Sequence, residues 1–253
     1  MADMFGGLYV RSIRLNDMPP KGDYLSGLPV VRHLAQMGEL RFNKPVTFFV
    51  GENGVGKSTL VEALAVAMGF NAEGGTRNFR FSTESTHSML YRCMTVVKGM
   101  KYPVDGFFLR AESFYNVATN IDRLDSEPGF GPPIIDSYGG VSLHEQSHGE
   151  SFMALVENRF GGHGVYILDE PEAALSPMRI MTLMVHISEL VKQDAQFIIS
   201  THSPMLMTLP GAEIYEISGS GIRSVGYEDT EHFRVMKNFL NAPERSLKYL
   251  LEE

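Results

Sequence analysis

Val46-Thr-Phe-Phe-Val-Gly-Glu-Asn-Gly-Val-Gly-Lys-Ser-Thr59 predicts a buried strand, a glycine-rich loop and the first turn of a helix, in that order. Gly51, Gly56, Lys57 and Ser58 match the phosphate-loop pattern G-x-x-x-x-G-K-[ST] without a mismatch. Apolar residues recur at helical spacing after the loop, as they do in a helix that packs against a core. The stretch therefore predicts a site for a nucleoside triphosphate.

The chemistry of the loop follows from its residue types. Glycines let the backbone N–H groups turn inward, and the positive end of the following helix faces the same anion. Lys57 is expected to reach the outer phosphates, and the hydroxyl of Ser58 to ligate Mg²⁺. The predicted nucleotide-binding residues are Gly51, Glu52, Asn53, Gly54, Val55, Gly56, Lys57, Ser58 and Thr59.

Two more strand ends carry candidate catalytic groups. Val165-Tyr-Ile-Leu-Asp-Glu170 places two carboxylates at the end of an apolar strand, where open α/β sheets hold their ligands. Asp169 is predicted to ligate Mg²⁺, and Glu170 to polarise the water that attacks the γ-phosphate. The next apolar strand ends in Ser200-Thr-His202, so His202 is a candidate contact for that water or for the γ-phosphate. Lys57, Glu170 and His202 are the predicted catalytic residues.

Strands that alternate with helices favour an α/β fold with a mostly parallel core sheet. Between 79 and 109, Met94–Val97 and Val104–Leu109 are expected to be strands of an antiparallel layer. A terminal hairpin is expected over 214–225, and a helix from about Thr230 to Leu240. We expect one domain over 1–253. Its predicted parts are an α/β core (about 1–110 and 161–226), a helical lobe (about 111–160) and a helical tail (227–253).

These motifs, in this order, resemble the ABC-type ATPases among the P-loop NTPases. The resemblance covers roughly residues 7–217 and includes the Ala174-Leu-Ser-Pro177 turn after the carboxylates. Ser147-His-Gly-Glu-Ser151 lies where that family carries its signature loop. The ending Ser-Thr-His-Ser-Pro204 is similar to the soluble branch, which comprises the structural-maintenance-of-chromosomes, RecF-like and overcoming-lysogenization-defect-like ATPases.

The resemblance implies ATP as ligand, Mg²⁺ as cofactor, ATP hydrolysis as activity and a homodimer closed head to tail over two nucleotides. It implies that Ser147 and Gly149 bind the γ-phosphate held by the partner subunit. A helix N-terminus with a free hydroxyl is a physically reasonable anion site. The implied signature residues are Ser147, Gly149, Glu150 and Ser151.

The sequence departs from the family in two respects. The family's glutamine between the phosphate loop and the signature is missing, because 59–145 contains no Gln. Glu112 is a candidate substitute as a metal or water contact, and a surface acid is the equally good alternative. About 90 residues separate the phosphate loop from the signature, too few for the long coiled coil of the chromosome-structuring relatives. The missing glutamine also disfavours a transport ATPase.

A competing motif is His144-Glu-Gln-Ser-His148, which matches the zinc-protease pattern H-E-x-x-H. That pattern needs both histidines on one face of a helix. Glycines bracket this segment and it has little apolar face, so the ATPase interpretation is preferred.

The composition of the chain limits its expected cellular location and its expected binding partners. No apolar run approaches the roughly 20 residues of a membrane-spanning helix, no signal peptide is visible, and Cys93 is the only cysteine. A cytoplasmic protein is therefore expected. The net charge of −8 disfavours nucleic acid, although 76–110 carries six basic and two acidic residues. The six basic residues are Arg77, Arg80, Arg92, Lys98, Lys101 and Arg110.

Two hypotheses about the role of the ATPase cycle stay open. One is a motor on nucleic acid in repair or defence, with 76–110 as its contact surface. The other is an ATP-gated switch that binds and releases a protein partner.

Overall fold

The structure is a computed structural model that describes residues 7–77, 88–112, 114–126 and 132–251. The strands are β1 (Val10–Leu15), β2 (Leu40–Arg41), β3 (Val46–Val50), β4 (Met94–Lys98), β5 (Asp105–Arg110), β6 (Gly164–Asp169), β7 (Gln196–Ser200), β8 (Glu213–Ser218) and β9 (Gly221–Val225). The helices are α1 (Tyr24–Gly27), α2 (Pro29–Met37), α3 (Lys57–Ala67), α4 (Phe114–Ser126), α5 (His148–Arg159), α6 (Pro177–Lys192), α7 (Glu231–Asn241) and α8 (Pro243–Leu251).

The core is a six-stranded sheet with the order β5-β6-β7-β3-β8-β9. Its first five strands are parallel, and β9 pairs antiparallel with β8 as a hairpin. All residues of β3, β6 and β7 are buried, as expected for parallel strands covered on both faces. The mostly parallel core sheet and the terminal hairpin are confirmed.

A second sheet is antiparallel, with the order β2-β1-β4. It contains Met94–Val97, as predicted, but the placement of Val104–Leu109 in this layer is wrong. That stretch forms most of β5, the edge strand of the core sheet, parallel to β6. Phe107, Phe108 and Leu109 are buried in a row, so this strand is covered on both faces. The part of the prediction that falls on 78–87 lies outside the described residues.

Helix α3 lies between the two sheets. Its buried side chains share one core with β1 and with one face of the central sheet. The other face of the central sheet packs against α4, α5 and α6 in a second core. Phe48 and Phe49 are neighbours in β3, but Phe48 belongs to the second core and Phe49 to the first. The phosphate loop, which leads from β3 into α3, is thus held between elements that are themselves packed into the core.

Gln196, the first residue of β7, connects the two sheets. Its Oε1 accepts the N–H groups of Tyr9 and Val10, both at 2.9 Å, and its Nε2 donates to the carbonyl of Val10 at 2.9 Å. The side chain is buried. A buried amide with these partners satisfied fixes the edge of the antiparallel sheet against the core sheet.

Helices α4 and α5 fall within the predicted helical lobe, and its bounds stay a prediction. The helix predicted from Thr230 corresponds to α7, and the tail also contains α8, which the sequence did not indicate. Across the described ranges, no helix combines the length and the apolarity that a membrane crossing needs.

Candidate nucleotide site

The glycines of the phosphate loop have conformations that other residues rarely adopt. Gly51, Gly54 and Gly56 have φ values of 141°, 82° and 98°. A Cβ on Gly51 would lie 2.1 Å from the carbonyl oxygen of Ile217, and one on Gly56 would lie 2.6 Å from a methyl group of Val30. Gly56 caps α3 without a side-chain hydrogen bond. The first N–H groups of α3 thus lack a side-chain cap, as in an anion site.

Lys57 is buried within the loop that it follows. Its ammonium donates to the carbonyls of Gly51 at 2.8 Å and Glu52 at 3.0 Å. Burial lowers its pKa, although the carboxylates across the site, Glu170 among them, act in the opposite direction. The cation is therefore already placed where the outer phosphates are predicted to bind.

The side chains of Ser58 and Asp169 meet across the site. Asp169, the last residue of β6, accepts hydrogen bonds from the hydroxyls of Ser58 and Ser200. Asp169 and Ser200 are direct neighbours on adjacent parallel strands. Burial raises the pKa of Asp169, and both hydrogen bonds and the charge of Arg110 oppose that shift. Ser58 and Asp169 are far apart in sequence, and the sheet brings them together.

Mg²⁺ fits this donor set. Ser58 and Asp169 offer only oxygen atoms, which hard cations prefer, and Mg²⁺ sites often use one carboxylate together with substrate phosphates. Both residues line a cavity of about 380 Å³, and Glu112 lines it too. Glu112 is 81% exposed and lies 3.3 Å from Arg110, so its role as a metal or water contact stays a prediction. In the part of the chain that the structure describes, no group of three or more His, Cys, Asp or Glu could hold a metal alone.

Glu170 and His202 face each other at the edge of the site. Glu170 adopts left-handed backbone angles, with φ of 50°, and its N–H donates to the carbonyl of Ser200 at 3.1 Å. The Nε2 atom of His202 lies 3.4 Å from Oε1 of Glu170, without hydrogen-bond alignment. Burial, aided by the charge of Lys57, lowers the pKa of His202 to about 4. His202 is therefore neutral at pH 7.

Glu172 has a structural role that the sequence pattern does not indicate. Its Oε1 accepts from the hydroxyl of Thr201 at 2.8 Å and from the N–H groups of His202 and Ser203. Burial raises its pKa despite these hydrogen bonds. Glu172 thus holds the segment after β7 in the conformation that presents His202.

Arg110 is a second residue whose role the sequence does not reveal, because it lies among the other basic residues of 76–110. It ends β5 and pairs in register with Asp169. Its guanidinium lies 2.7 Å from Glu62 of α3 and 3.5 Å from Asp169. Arg110 therefore connects the helix after the phosphate loop to the carboxylate strand. The sequence signal for this role is a charged residue at the end of an apolar run.

His232 of α7 is the third missed residue. Its Nε2 lies 2.8 Å from Nδ1 of His202. The two histidines are 30 positions apart, and no sequence pattern links them.

The signature segment forms the N-terminus of α5. Ser147 is exposed, and its hydroxyl donates to Glu150 at 2.6 Å. Gly149 is buried, and a Cβ there would lie 2.2 Å from a nitrogen of Arg179. Ser151 is 2% exposed and its hydroxyl bonds the carbonyls of Ser147 and His148. Ser151 is thus turned into its own helix, and Ser147 and Glu150 face outward.

The geometry around His144 and His148 argues against the zinc-protease alternative. His144 lies in a short 3-10 turn, whereas His148 is the first residue of α5, so they do not share a helix. Tyr115 contacts both, because its ring stacks on His144 and its hydroxyl lies 3.1 Å from Nδ1 of His148. The described residues offer no third ligand there. The geometry is that of an aromatic cluster.

Three of the basic residues of 76–110 lie in different environments. Arg110 lies in the site, and Lys101 pairs with Asp194 at 3.0 Å. Arg77 lies over the ring of Phe70, and Arg80 falls outside the described residues.

Two protein-family models match separate parts of the chain. One, described as "AAA domain", matches 32–103 and includes the phosphate loop. The other, described as "AAA domain, putative AbiEii toxin, Type IV TA system", matches 141–208 and includes Asp169, Glu170 and His202. The ribose import ATP-binding protein RbsA of Bacillus cereus is 27% identical over 197 residues. These matches support an ABC-type AAA ATP-binding protein.

The similarity to RbsA covers 70% of this chain and 38% of that protein. Among solved structures, a chain of an inward-facing "putative metal-chelate type ABC transporter" is 13% identical with a TM-score of 0.50, covering 90% of this chain and 88% of the other. CbiO1 of Clostridium perfringens is 15% identical with a TM-score of 0.49, covering 97% and 100%. At these identities the structural likeness concerns the fold alone. The matches to AAA domains and to an ATP-binding protein support ATP hydrolysis by this chain.

Proposed function

We propose that this chain hydrolyses ATP as a head-to-tail homodimer around two ATP·Mg²⁺, and that the cycle acts in DNA repair or in defence against foreign nucleic acid. The observation that carries the ATPase proposal is the meeting of Ser58 with Asp169 beside Glu170 and His202. Groups from three parts of the chain with complementary chemistry converge on one edge of the core sheet.

Each residue has a defined task in this proposal. Ser58 and Asp169 hold Mg²⁺, which when bound neutralises charge on the phosphate oxygens. Lys57 turns its ammonium from the loop carbonyls to the outer phosphates. Glu170 orients the attacking water and accepts its proton. His202, neutral at pH 7, supplies a hydrogen bond rather than a charge.

In the proposed dimer, each nucleotide site would be completed by residues of the partner subunit. Ser147 stands exposed at the N-terminus of α5, and helix N-termini bind anions through their free N–H groups. In a head-to-tail arrangement, Ser147 and Gly149 would contact the γ-phosphate bound by the other subunit. Glu150, which accepts the Ser147 hydroxyl, is also paired with Arg179 at 3.2 Å.

The test replaces Glu170, the proposed general base, while binding of ATP·Mg²⁺ is expected to remain. Glu170→Gln is expected to bind ATP·Mg²⁺, to hydrolyse it about 10²–10⁴-fold more slowly, and to accumulate as a dimer measured by light scattering after gel filtration. Glu170→Gln with Ser147→Arg is the matched control, because a bulky cation at Ser147 should prevent closure. A Glu170→Gln protein that holds ATP and stays monomeric at tens of micromolar would contradict the dimer.

The description of the second family model, with its toxin of a type IV toxin–antitoxin system, supports a role in defence. One observation favours the alternative, an ATP-gated switch for a protein partner. Helices α7 and α8 expose several large apolar side chains and adjoin the site through His232. These side chains are Val235, Met236, Leu240, Leu247, Tyr249, Leu250 and Leu251. Phage challenge of cells that carry wild type or Lys57→Ala separates the two: equal survival would argue against defence.

A further inference from the structure

The ring of His202 lies between two groups, one on each nitrogen. Nδ1 lies 2.8 Å from Nε2 of His232, and Nε2 lies 3.4 Å from a carboxylate oxygen of Glu170. The two rings have their centres 5.0 Å apart at an angle of 58°. When both nitrogens of a histidine face specific groups, those groups determine the orientation of the ring and its tautomer.

The fold holds His232 in this position. It is the second residue of α7, whose N-cap Thr230 is buried and accepts the N–H of Phe233 at 3.3 Å. The N–H of Glu231 donates to Glu216 of β8 at 3.0 Å. The first turn of α7 is therefore attached to the core sheet, and His232 has little freedom to leave His202.

Both rings are neutral at pH 7. Burial lowers the pKa of His232 as it does that of His202, and the positive charge of Lys57 acts on both in the same direction. A neutral imidazole carries one N–H and one acceptor nitrogen. A nitrogen–nitrogen contact of 2.8 Å therefore requires that one ring donates and the other accepts.

Glu170 selects between the two arrangements. If His202 donated from Nδ1, its Nε2 would present a lone pair to the Glu170 carboxylate, and the two would repel. If His232 donates from Nε2, then His202 carries its proton on Nε2, and an N–H dipole faces the carboxylate. Electrostatics in a partly buried site therefore favours the second arrangement.

We propose that His232 is a positioning residue that donates from Nε2 to His202 and holds His202 in the tautomer protonated on Nε2. Nε2 of His202 is buried and has no hydrogen-bond partner among the described residues. It is a donor directed at the edge where Glu170 lies. The assignment of a γ-phosphate oxygen as its acceptor rests on the proposed function, whereas the tautomer does not.

The first experiment needs neither nucleotide nor activity. The full chain with ¹⁵N-labelled histidine is measured by NMR for a scalar coupling between His232 Nε2 and His202 Nδ1 across the hydrogen bond. Spectra of His232→Gln and His202→Asn identify the signals. The expected result is a coupling with the shared proton on His232 and a second proton on Nε2 of His202. A shared proton on His202, or no coupling, would overturn the proposal.

The second experiment separates positioning from a general structural role. His232→Phe retains ring volume and removes the donor, whereas His232→Gln retains an N–H donor on a side chain of similar reach. We expect His232→Phe to lower kcat for ATP about 2–10-fold with KM unchanged, and His232→Gln to stay within about 2-fold of wild type. Equal losses in both variants would overturn the positioning role. Absence of ATPase activity in the wild type would defeat the proposed function and leave the NMR result standing.

Discussion

The phosphate loop takes its residues from one continuous stretch, 51–59. The opposite side of the site, called the edge below, takes its residues from four separate segments: Arg110, Asp169 with Glu170, His202 and His232. In the loop, the groups predicted to touch the ligand are backbone N–H groups and one lysine. At the edge, the side chains also hold one another through hydrogen bonds and ion pairs. Substitutions in the loop should therefore remove ligand binding and spare the fold, whereas substitutions that break the contacts within the edge should destabilise the fold.

Lys57→Ala should have the largest effect on function and the smallest on stability. Removal of the ammonium leaves the outer phosphates without their cation, so binding of ATP or a non-hydrolysable analogue with Mg²⁺ should become unmeasurable by calorimetry. The free energy of unfolding without nucleotide should change by about 1 kcal/mol or less, because the buried Gly51 carbonyl loses a donor while the desolvation cost of the buried Lys57 ammonium is removed as well. Unchanged affinity for the analogue would disprove the site.

Arg110→Met should be the most damaging edge substitution for the fold. It leaves Glu62, which is buried in α3, without its cation, and breaking a buried ion pair costs about 3–5 kcal/mol. Urea unfolding without nucleotide measures the loss. Glu62→Gln in the same chain is the matched control and should restore much of the stability, since the uncompensated charge is removed. If the double variant is no more stable than Arg110→Met, the pair is not the cause.

Glu172→Ala should have an intermediate effect. It removes the acceptor of three donors around His202, and a buried donor left unsatisfied costs about 1–3 kcal/mol. Glu172→Gln retains the acceptor and should unfold at nearly the wild-type urea concentration. A Glu172→Ala protein as stable as wild type would show that the segment after β7 does not depend on this carboxylate.

The pH dependence of stability gives a second readout for Glu172. Its folded-state pKa lies above the ordinary value of 4.5, so the folded state binds this proton more tightly than the unfolded state. The contribution of Glu172 to the free energy of unfolding should therefore fall as pH rises through 4.5 toward the folded-state pKa. Glu172→Gln should lack this decrease when unfolding is compared from about pH 4 to about pH 7.

Charge reversal in the basic segment should have the smallest effect. Arg77, Arg80, Lys98 and Lys101 changed together to Glu should leave basal ATPase activity unaltered and remove any DNA binding that the wild type shows with ATP at low salt. The exposed pair between Lys101 and Asp194 is worth at most about 1 kcal/mol. A wild type without DNA affinity under these conditions would leave the nucleic-acid hypothesis without its electrostatic support.

The residues of the site were predictable to different degrees. Gly51 to Thr59 were readable because a phosphate loop is a local structure whose backbone angles require glycine at fixed positions. Asp169 and His202 were readable because each ends an apolar run, and parallel strands end at one edge. Arg110 was not predictable for the same reason as β5. An apolar run alone does not distinguish a parallel from an antiparallel strand, so the sequence does not reveal that this run ends at the same edge.

The phosphate loop, the carboxylates of β6 and the alternation of strands and helices were predictable from the sequence, and so was the resemblance to ABC-type ATPases that they carry. Local spacing suffices for such features, because backbone geometry and hydrophobic periodicity act over a few residues. Three contacts are visible only in the folded protein: Arg110 lies between Glu62 and Asp169, Glu172 organises the segment around His202, and His232 of α7 bonds His202. Those contacts join segments that are distant in sequence, and sheet order and helix docking, which no short pattern encodes, bring them together.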